Sequence, residues 1–264
     1  MELRAPAKVN WHLAVGERRA DGYHPIASIF QTCSLHDILD ISISDGPFKV
    51  DVTGLENLCE KGKSTLDKAA RLWHEETGFD KSISVKVTKN IPSQAGLGGG
   101  SSDAASLLLY LNSISENPLS KQDLMNLGAR VGCDVPFFIS EFRAATVAGL
   151  GEKVNEITAR TDLQGFIIVS EGEKTSTREA YDALDKRSEI PPLDSLEDLE
   201  KEYWEPIEKW SFRNDFDLVN KRPSLDVLDG ERLLLTGSGS CYVLLTKREK
   251  LTLKDGISAI RVSF

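Results

Sequence analysis

The chain contains few of the residues that bind metals or form disulfide bonds. Its 264 residues include 4 cysteines and 4 histidines. The cysteines form no Cys-x-x-Cys pair, and in a chain of this length we interpret them as reduced thiols. Their widely spaced positions are Cys33, Cys59, Cys133 and Cys241. The histidines also lack metal-ligand spacing, so we expect neither a disulfide framework nor a zinc site.

Long apolar runs and an excess of positive charge are absent as well. The densest apolar run, 107–111, is far shorter than the roughly 20 residues of a membrane span. The segment 1–6 lacks the basic start and apolar centre of a signal peptide. The chain has 32 lysines and arginines against 41 aspartates and glutamates, a net charge of −9 that disfavours non-specific binding to nucleic acids and anionic membranes. We therefore expect a cytoplasmic protein with no nucleic-acid or membrane partner.

The hydrophobic content of 40% allows a large core, and its patterning alternates between strands and helices. Helical spacing predicts a helix that begins after Ser64 or Thr65 and stops at Gly78. The other predicted elements are strands at 39–43, 83–87, 166–169, 233–235 and 242–245 and helices at 101–112 and 122–130. We expect an α+β fold in two closely packed lobes, 1–150 and 151–264.

The strongest motif is a glycine- and serine-rich loop that follows a predicted strand and leads directly into a predicted helix. Its glycines allow the backbone to approach a ligand closely, and the N-terminus of the next helix favours an anion. The two serines add hydroxyl donors or a ligand for a phosphate-bound cation. The loop residues are Pro92, Ser93, Gln94, Ala95, Gly96, Leu97, Gly98, Gly99, Gly100, Ser101 and Ser102. We predict a phosphate-binding loop, and the alternative is a turn that only tightens a strand-to-helix connection.

This loop is not one of the two best-known nucleotide loops. It lacks the Gly-Lys-Ser/Thr ending of a P-loop, and Ser101 occupies the place of the third glycine in a dinucleotide-binding motif. Its pattern, Pro-x-x-x-Gly-Leu-Gly-Gly-Gly-Ser-Ser, instead resembles the phosphate loop of the GHMP small-molecule kinases. Gln94 and Ala95 depart from it, because relatives often carry further glycines there.

Four further segments resemble motifs of the same superfamily. Segment 5–10, Ala-Pro-Ala-Lys-Val-Asn, is similar to its N-terminal motif, and segment 236–240, Thr-Gly-Ser-Gly-Ser, to its third motif. Segments 18–24 and 132–138 are similar to motifs of the member whose substrate is a cytidine-diphosphate-linked methylerythritol. From the residues alone, 236–240 is either a second phosphate or substrate loop or a close-packing glycine turn.

The resemblance implies a two-lobed GHMP kinase fold with the active site in the inter-lobe cleft. It also implies an ATP-dependent kinase that uses Mg²⁺ and phosphorylates the 2-hydroxyl of that substrate, in the non-mevalonate route to isoprenoid precursors. Without the resemblance, the residues predict a phosphate-binding, kinase-like enzyme and no particular substrate.

Two residues are the predicted catalytic pair. Asp134 precedes an apolar Val-Pro-Phe-Phe run, where a partly desolvated carboxylate is suited to take a proton from a hydroxyl. Lys8 would stabilise an emerging alkoxide or the transferred phosphoryl oxygens. The resemblance implies the same roles. Without it, Asp134 is also consistent with a helix-end or turn aspartate, and Lys8 with a solvated lysine.

The predicted substrate-binding residues follow from the resemblance. Tyr23 and His24 correspond to residues that bind the cytosine ring, by stacking and through a ring nitrogen. Thr177 and Tyr181 lie on a predicted new helix, where Tyr181 would close the aromatic sandwich. Asn10 would hydrogen-bond substrate. Tyr181 is also consistent with an ordinary amphipathic-helix residue, and Asn10 with a structural asparagine.

Two alternative functions remain at this level. The first is another kinase of the superfamily, acting on homoserine or mevalonate, whose substrates offer no base to stack on Tyr23, His24 and Tyr181. The second is a non-catalytic binding protein on the same fold, which would have no need of Asp134. Neither the oligomeric state nor the adenine contacts can be inferred from the sequence.

Overall fold

The structure, a computed structural model, describes residues 1–170 and 176–264. The chain forms two compact units whose segments alternate along the sequence. The first unit comprises Met1–Ala7, Leu35–Ser93 and Gly98–Phe142, and the second comprises Lys8–Ser34, Gln94–Leu97 and Arg143–Phe264. The predicted lobe boundary at residue 150 stays a prediction, and these units divide the chain differently, because they group 8–34 and 94–97 with the C-terminal part.

Helices and strands are mixed, so the predicted α+β fold is confirmed. In chain order the elements are β1 (Glu2–Val15), β2 (Ile26–Ser44), β3 (Lys49–Thr53), α1 (Thr65–Thr77), β4 (Ser82–Thr88), α2 (Gly99–Ser113), α3 (Lys121–Val131), α4 (Val135–Ser140), β5 (Ala144–Gly149), β6 (Lys153–Glu156), β7 (Gln164–Ser170), α5 (Thr177–Leu184), α6 (Leu196–Tyr203), β8 (Arg232–Leu235), β9 (Tyr242–Leu245) and β10 (Ile257–Ser263). Among the described residues, no helix is long and apolar enough to cross a bilayer.

In the first unit, helices α1 to α4 pack together beside a sheet formed by β3, β4 and the second half of β2. Strand β4 pairs in parallel with β3 and antiparallel with residues 38–44 of β2. The apolar residues that predicted the two strands face each other, for example Ile41 opposite Val85. Both side chains are buried, as the alternating pattern indicates.

The predicted ends of α1 are confirmed. Ser64 is the N-cap and forms a reciprocal capping box with Asp67, and Gly78 ends the helix in the left-handed conformation at φ 69°. Glycine adopts this conformation without steric cost because it has no Cβ atom. Helix α2 begins two residues before the predicted position, at Gly99, so the glycine loop itself supplies its first turn.

The second unit contains an antiparallel sheet with the strand order β10-β7-β9-β8. The predicted strands at 166–169, 233–235 and 242–245 lie within β7, β8 and β9. The first half of β2, residues 26–31, pairs with β5, which also pairs with β6. Helix α5 begins at Thr177, where the sequence predicts a new helix, behind a capping box of Ser176 and Glu179.

Candidate active site

Lys8 and Asn10 lie on β1 and are both buried in the second unit. Lys8 is 3% exposed, and its Nζ donates a hydrogen bond to Asn10 Oδ1 over 2.7 Å. The same Nζ lies 4.3 Å from the centroid of the Phe30 ring, within range of a cation–π interaction. The alternative of a solvated lysine is therefore wrong. A buried ammonium with a defined neighbour is a fixed positive charge, which suits phosphoryl transfer.

Asn10 joins β1 to the start of the 236–240 segment. Its Oδ1 accepts a hydrogen bond from the backbone amide of Gly237 at 2.9 Å. Its own backbone amide donates to Thr236 Oγ1 at 3.1 Å. Its Nδ2 donates to Ser28 Oγ at 3.0 Å. The structural interpretation of Asn10 is confirmed by these bonds. Its contact with substrate stays a prediction.

The centre of the glycine loop packs against Thr236 and Gly237. Gly96 has φ +74°, and a Cβ built on it would lie 2.0 Å from the carbonyl oxygen of Thr236. A Cβ on Gly237 would lie 2.6 Å from Gly96 Cα, and the amide of Lys8 donates to the carbonyl of Leu97 at 3.0 Å. Two backbone segments approach too closely here for any side chain. The close-packing interpretation of 236–237 is confirmed, and phosphate binding by this segment stays a prediction.

The first turn of α2 belongs to the first unit. Gly98 is the N-cap at φ 69°, and no side chain in the described part of the chain caps the helix. The hydroxyl of Ser102 is buried and has no hydrogen-bond partner among the residues that the structure describes. A helix N-terminus without a side-chain cap favours an anion, through its amide groups and its dipole. The geometry therefore suits the predicted phosphate site.

Asp134 is the N-cap residue of α4 in the first unit. It is half-buried, and its side chain forms no capping hydrogen bond to the helix. The helix-end interpretation is thus right about its position, but the carboxylate is not used as a cap. A Cβ on Gly132 would lie 3.7 Å from Ser101 Oγ, so the segment leading to Asp134 lies beside the last part of the loop.

His24 and Tyr181 lie together in the second unit. Their rings stack with centroids 5.1 Å apart and an interplanar angle of 28°, and Tyr181 also meets Phe216 edge-on at 4.9 Å. Tyr23 is 59% exposed. Two of the three predicted cytosine-binding rings are therefore in contact, and the third lies at the surface.

Both ring nitrogens of His24 face oxygen acceptors. Nδ1 lies 3.0 Å from the carbonyl oxygen of Gly16, and Nε2 lies 3.2 Å from Asp185 Oδ1. A contact between a ring nitrogen and a base, as the sequence predicts, would require one of these bonds to be exchanged. The cytosine-binding role of His24 stays a prediction.

Thr177 is the first residue of α5. Its Oγ1 lies 3.1 Å from Ser238 Oγ, which joins this helix to the 236–240 segment. The structure therefore brings two of the predicted residues, Asn10 and Thr177, to the 236–240 segment, and Lys8 is linked to it through Asn10.

Sequence reasoning missed a buried cluster at the base of the glycine loop, formed by Asp37, Lys89 and Asp103. Lys89 Nζ donates to Asp37 Oδ2 and, over 3.0 Å, to Asp103 Oδ2. Asp37 Oδ1 accepts from the amides of Asn90 and Ile91 at 2.7 and 2.8 Å. Lys89 and Asp103 flank the loop in sequence, but no spacing pattern connects Asp37 to them. The cluster fixes the strand end from which the loop starts.

The electrostatics of this cluster follow from its burial. Burial raises the pKa of Asp103 to about 7, although the Lys89 ammonium works in the opposite direction. Burial alone would lower the pKa of Lys89, but the carboxylates of Asp103 and Asp37 raise it above its ordinary value. Two carboxylates thus share one ammonium.

Comparison with known proteins gives consistent results. Residues 64–141 match the family of the GHMP kinases N terminal domain. The 4-diphosphocytidyl-2-C-methyl-D-erythritol kinase of Thermotoga maritima is 35% identical, over 94% of this chain and 93% of its own length. The kinase of the same name from Treponema pallidum is 34% identical, over 93% of this chain and 86% of its own length.

Solved structures agree with these sequence matches. A crystal structure of 4-(cytidine 5'-diphospho)-2C-methyl-D-erythritol kinase covers 100% of both chains, with a TM-score of 0.71 and 26% identity. The match to the crystal structure of the mevalonate kinase of Methanococcus jannaschii covers 100% of this chain and 98% of the mevalonate kinase chain, with a TM-score of 0.67 and 16% identity. The second match supports the fold alone.

Proposed function

This chain belongs to the 4-diphosphocytidyl-2-C-methyl-D-erythritol kinase family, and from that membership we propose how its residues carry out the reaction. It is an ATP-dependent small-molecule kinase. The reaction transfers the γ-phosphoryl group of ATP to the 2-hydroxyl of 4-diphosphocytidyl-2-C-methyl-D-erythritol, in the non-mevalonate route to isoprenoid precursors. The expected cytoplasmic location is part of the proposal.

The observation that carries the catalytic proposal is the buried ammonium of Lys8. Asn10 Oδ1 holds it, and Asn10 is itself fixed by the amide of Gly237. A charge held in advance needs little reorganisation when negative charge develops on the transferred phosphoryl oxygens. Lys8 stabilises that charge. Asn10 orients Lys8 and contacts the substrate.

Asp134 acts on the substrate hydroxyl. Its carboxylate accepts the proton of the 2-hydroxyl or orients that group, while the hydroxyl oxygen bonds to the γ-phosphorus and ADP departs with the bridging oxygen. The carboxylate suits this role because it is half-buried and does not cap α4.

The glycine loop holds the phosphates of ATP. The first turn of α2 supplies backbone amides with no side-chain cap, and Ser101 and Ser102 supply hydroxyls. The loop's approach to a phosphate depends on glycine at Gly98, where φ is +69°. Residues 92–102 form the ATP-binding segment in this mechanism.

Mg²⁺ belongs to the proposal as the partner of the ATP phosphates. Within 1–170 and 176–264, no group of three or more His, Cys, Asp or Glu side chains is placed to hold a metal ion. Mg²⁺ commonly keeps several waters and binds one or two protein oxygens together with substrate phosphates. The buried Ser102 hydroxyl, which has no hydrogen-bond partner among the described residues, fits that mode. When bound, Mg²⁺ neutralises charge on the phosphate oxygens.

The cytidine part of the substrate is recognised by Tyr23, His24, Thr177 and Tyr181. Tyr23 offers an exposed ring face for the base, and the His24–Tyr181 stack offers a second aromatic surface. Base–aromatic stacking contributes about 1–3 kcal/mol per base in nucleic-acid complexes. Such a contribution would separate this substrate from mevalonate and homoserine.

A coupled ADP-release assay tests the proposed function. It uses ATP, Mg²⁺ and 4-diphosphocytidyl-2-C-methyl-D-erythritol, with mevalonate and homoserine as controls. Turnover on the cytidyl substrate alone is the expected result. Turnover on mevalonate or homoserine instead would remove the cytosine site from the proposal, and ATP binding without any turnover would favour a non-catalytic binding protein.

A further inference from the structure

Asp185, directly after α5, connects two side chains of the predicted cytidine segment. Its Oδ1 lies 3.2 Å from His24 Nε2, and its Oδ2 lies 3.3 Å from Arg18 Nη1. Arg18 Nε in turn donates to the carbonyl of Gly22 at 3.2 Å. A single carboxylate thus holds both ends of the 18–24 turn.

Asp185 continues a face of α5 that already carries two predicted substrate residues. Thr177, Tyr181 and Asp185 are spaced four residues apart, so they lie on one side of the helix over about 12 Å. Thr177 contacts Ser238, and Tyr181 and Asp185 both contact His24. The face therefore links the glycine-rich 236–240 segment to the 18–24 turn.

The His24 ring is fixed from three directions. The carbonyl oxygen of Gly16 can only accept, so Nδ1 carries a proton and donates to it. Nε2 faces the Asp185 carboxylate, and the ring face lies on Tyr181. Without Asp185, the ring would keep one hydrogen-bond partner among the described residues, the carbonyl of Gly16, and the turn that carries Tyr23 could move.

We propose that Asp185 is a positioning residue for the cytidine diphosphate part of the substrate, acting through Arg18 and His24 without touching the base. The inference rests on the proposed function. Arg18 is 56% exposed and the Asp185 side chain 25% exposed, and ion pairs this exposed contribute little to folding stability. The ion pair with Arg18 is therefore expected to act mainly on local orientation.

The test measures steady-state kinetics of Asp185→Ala with both substrates. Loss of a carboxylate bonded to a buried imidazole and to an arginine should raise KM for the cytidyl substrate about tenfold. KM for ATP and kcat should stay within about twofold, because the change alters only the orientation of the 18–24 turn. Binding of CDP, measured by calorimetry, should weaken by the same factor, with an unchanged unfolding midpoint.

Arg18→Ala makes the test independent of folding defects in Asp185→Ala, and the double variant measures the coupling between the two residues. Arg18→Ala alone should raise KM for the cytidyl substrate about threefold. The effects of the two changes should be less than additive in the double variant, because both remove the ion pair between Arg18 and Asp185. Asp182→Ala, which removes an exposed carboxylate from the same helix, is the matched control and should leave both KM values unchanged.

Specific outcomes would overturn the inference. These are an unchanged KM for the cytidyl substrate in Asp185→Ala, equal effects on both substrates, or fully additive effects in the double variant. The wild-type assay separates this failure from failure of the proposed function. If the wild type turns over the cytidyl substrate and Asp185→Ala behaves like it, only the positioning role is lost.

Discussion

Two regions of the second unit hold predicted site residues in opposite ways. Around Lys8, the contacts are buried, and the backbones of Gly96 and Gly237 lie close enough that a Cβ would clash. Around His24, the contacts are made by side chains, and Tyr23 and Arg18 are more than half exposed. The region around Lys8, where backbone segments pack this closely, tolerates few substitutions without loss of the fold. The region around His24 can change its specificity while the fold remains.

In the proposed mechanism, this difference separates the region that supplies fixed charge from the region that selects the substrate. Phosphoryl transfer gains from groups held before the substrate arrives. Selection of a base depends on a few side chains that can be exchanged one at a time. The following substitutions test that separation and are ordered by the size of the change that we expect.

Asp134→Asn tests whether chemistry is independent of base recognition. Loss of the proton acceptor should lower kcat by about 10²–10⁴-fold. KM for the cytidyl substrate and the affinity for ATP should change little, because Asp134 belongs to neither recognition surface. Stopped-flow or coupled ADP-release kinetics measure both. Asp45→Asn, at a carboxylate whose side chain is 95% exposed, is the control. Near-normal turnover of Asp134→Asn would remove this residue from the mechanism.

Gly96→Ala tests the backbone contact beside Lys8. The new Cβ would lie 2.0 Å from the Thr236 carbonyl oxygen at φ +74°, so the two segments must separate. The free energy of unfolding should fall by about 3 kcal/mol more than in a control with the same conformational cost. Gly62→Ala is that control, because its φ is +81° and nothing lies within 4 Å of its Cβ position. Denaturant unfolding measures both, and equal losses would show that the close approach is not required.

Much of this fold was predictable from sequence, for local reasons. Capping residues and apolar periodicity placed α1 from Ser64 to Gly78, and alternation placed the strand pair of β2 and β4. Strand β1 was not predicted, and only residues 39–43 of β2 were. Almost every residue from Ala5 to Val15 is buried, so the alternation that marks a half-buried strand is missing there.

The site was predictable where a motif keeps its residues close in sequence. Lys8 and Asn10 are two positions apart, and the structure joins them directly. The pairing of Lys89 with Asp37 was not predictable, because 52 residues separate them and no motif connects them. Asp185 was missed for the same reason, since it meets Arg18 across 167 residues. Long-range ion pairs carry no local signature.

Asp103→Asn tests the missed cluster through its pH dependence. Burial raises the pKa of Asp103 to about 7, so between about pH 4 and pH 7 the folded chain binds more protons here than the unfolded chain. The contribution of Asp103 to stability therefore falls as the pH rises through that window. Relative to wild type, Asp103→Asn should gain about 2 kcal/mol in free energy of unfolding between pH 5 and pH 8. Denaturant titrations at both pH values measure the difference. A gain of equal size in Asp45→Asn, or none in Asp103→Asn, would contradict the assignment.

Tyr23→Ala tests the region around His24 with the smallest disturbance to the fold. Tyr23 is 59% exposed, so the free energy of unfolding should change by less than about 0.5 kcal/mol. If its ring stacks on cytosine, KM for the cytidyl substrate should rise about tenfold while KM for ATP stays constant. Trp204→Ala removes another exposed aromatic ring, 50% exposed, and should affect neither KM. Parallel rises in both KM values would mean that Tyr23 supports the whole site, and the division between a rigid reaction centre and an adjustable recognition surface would not hold.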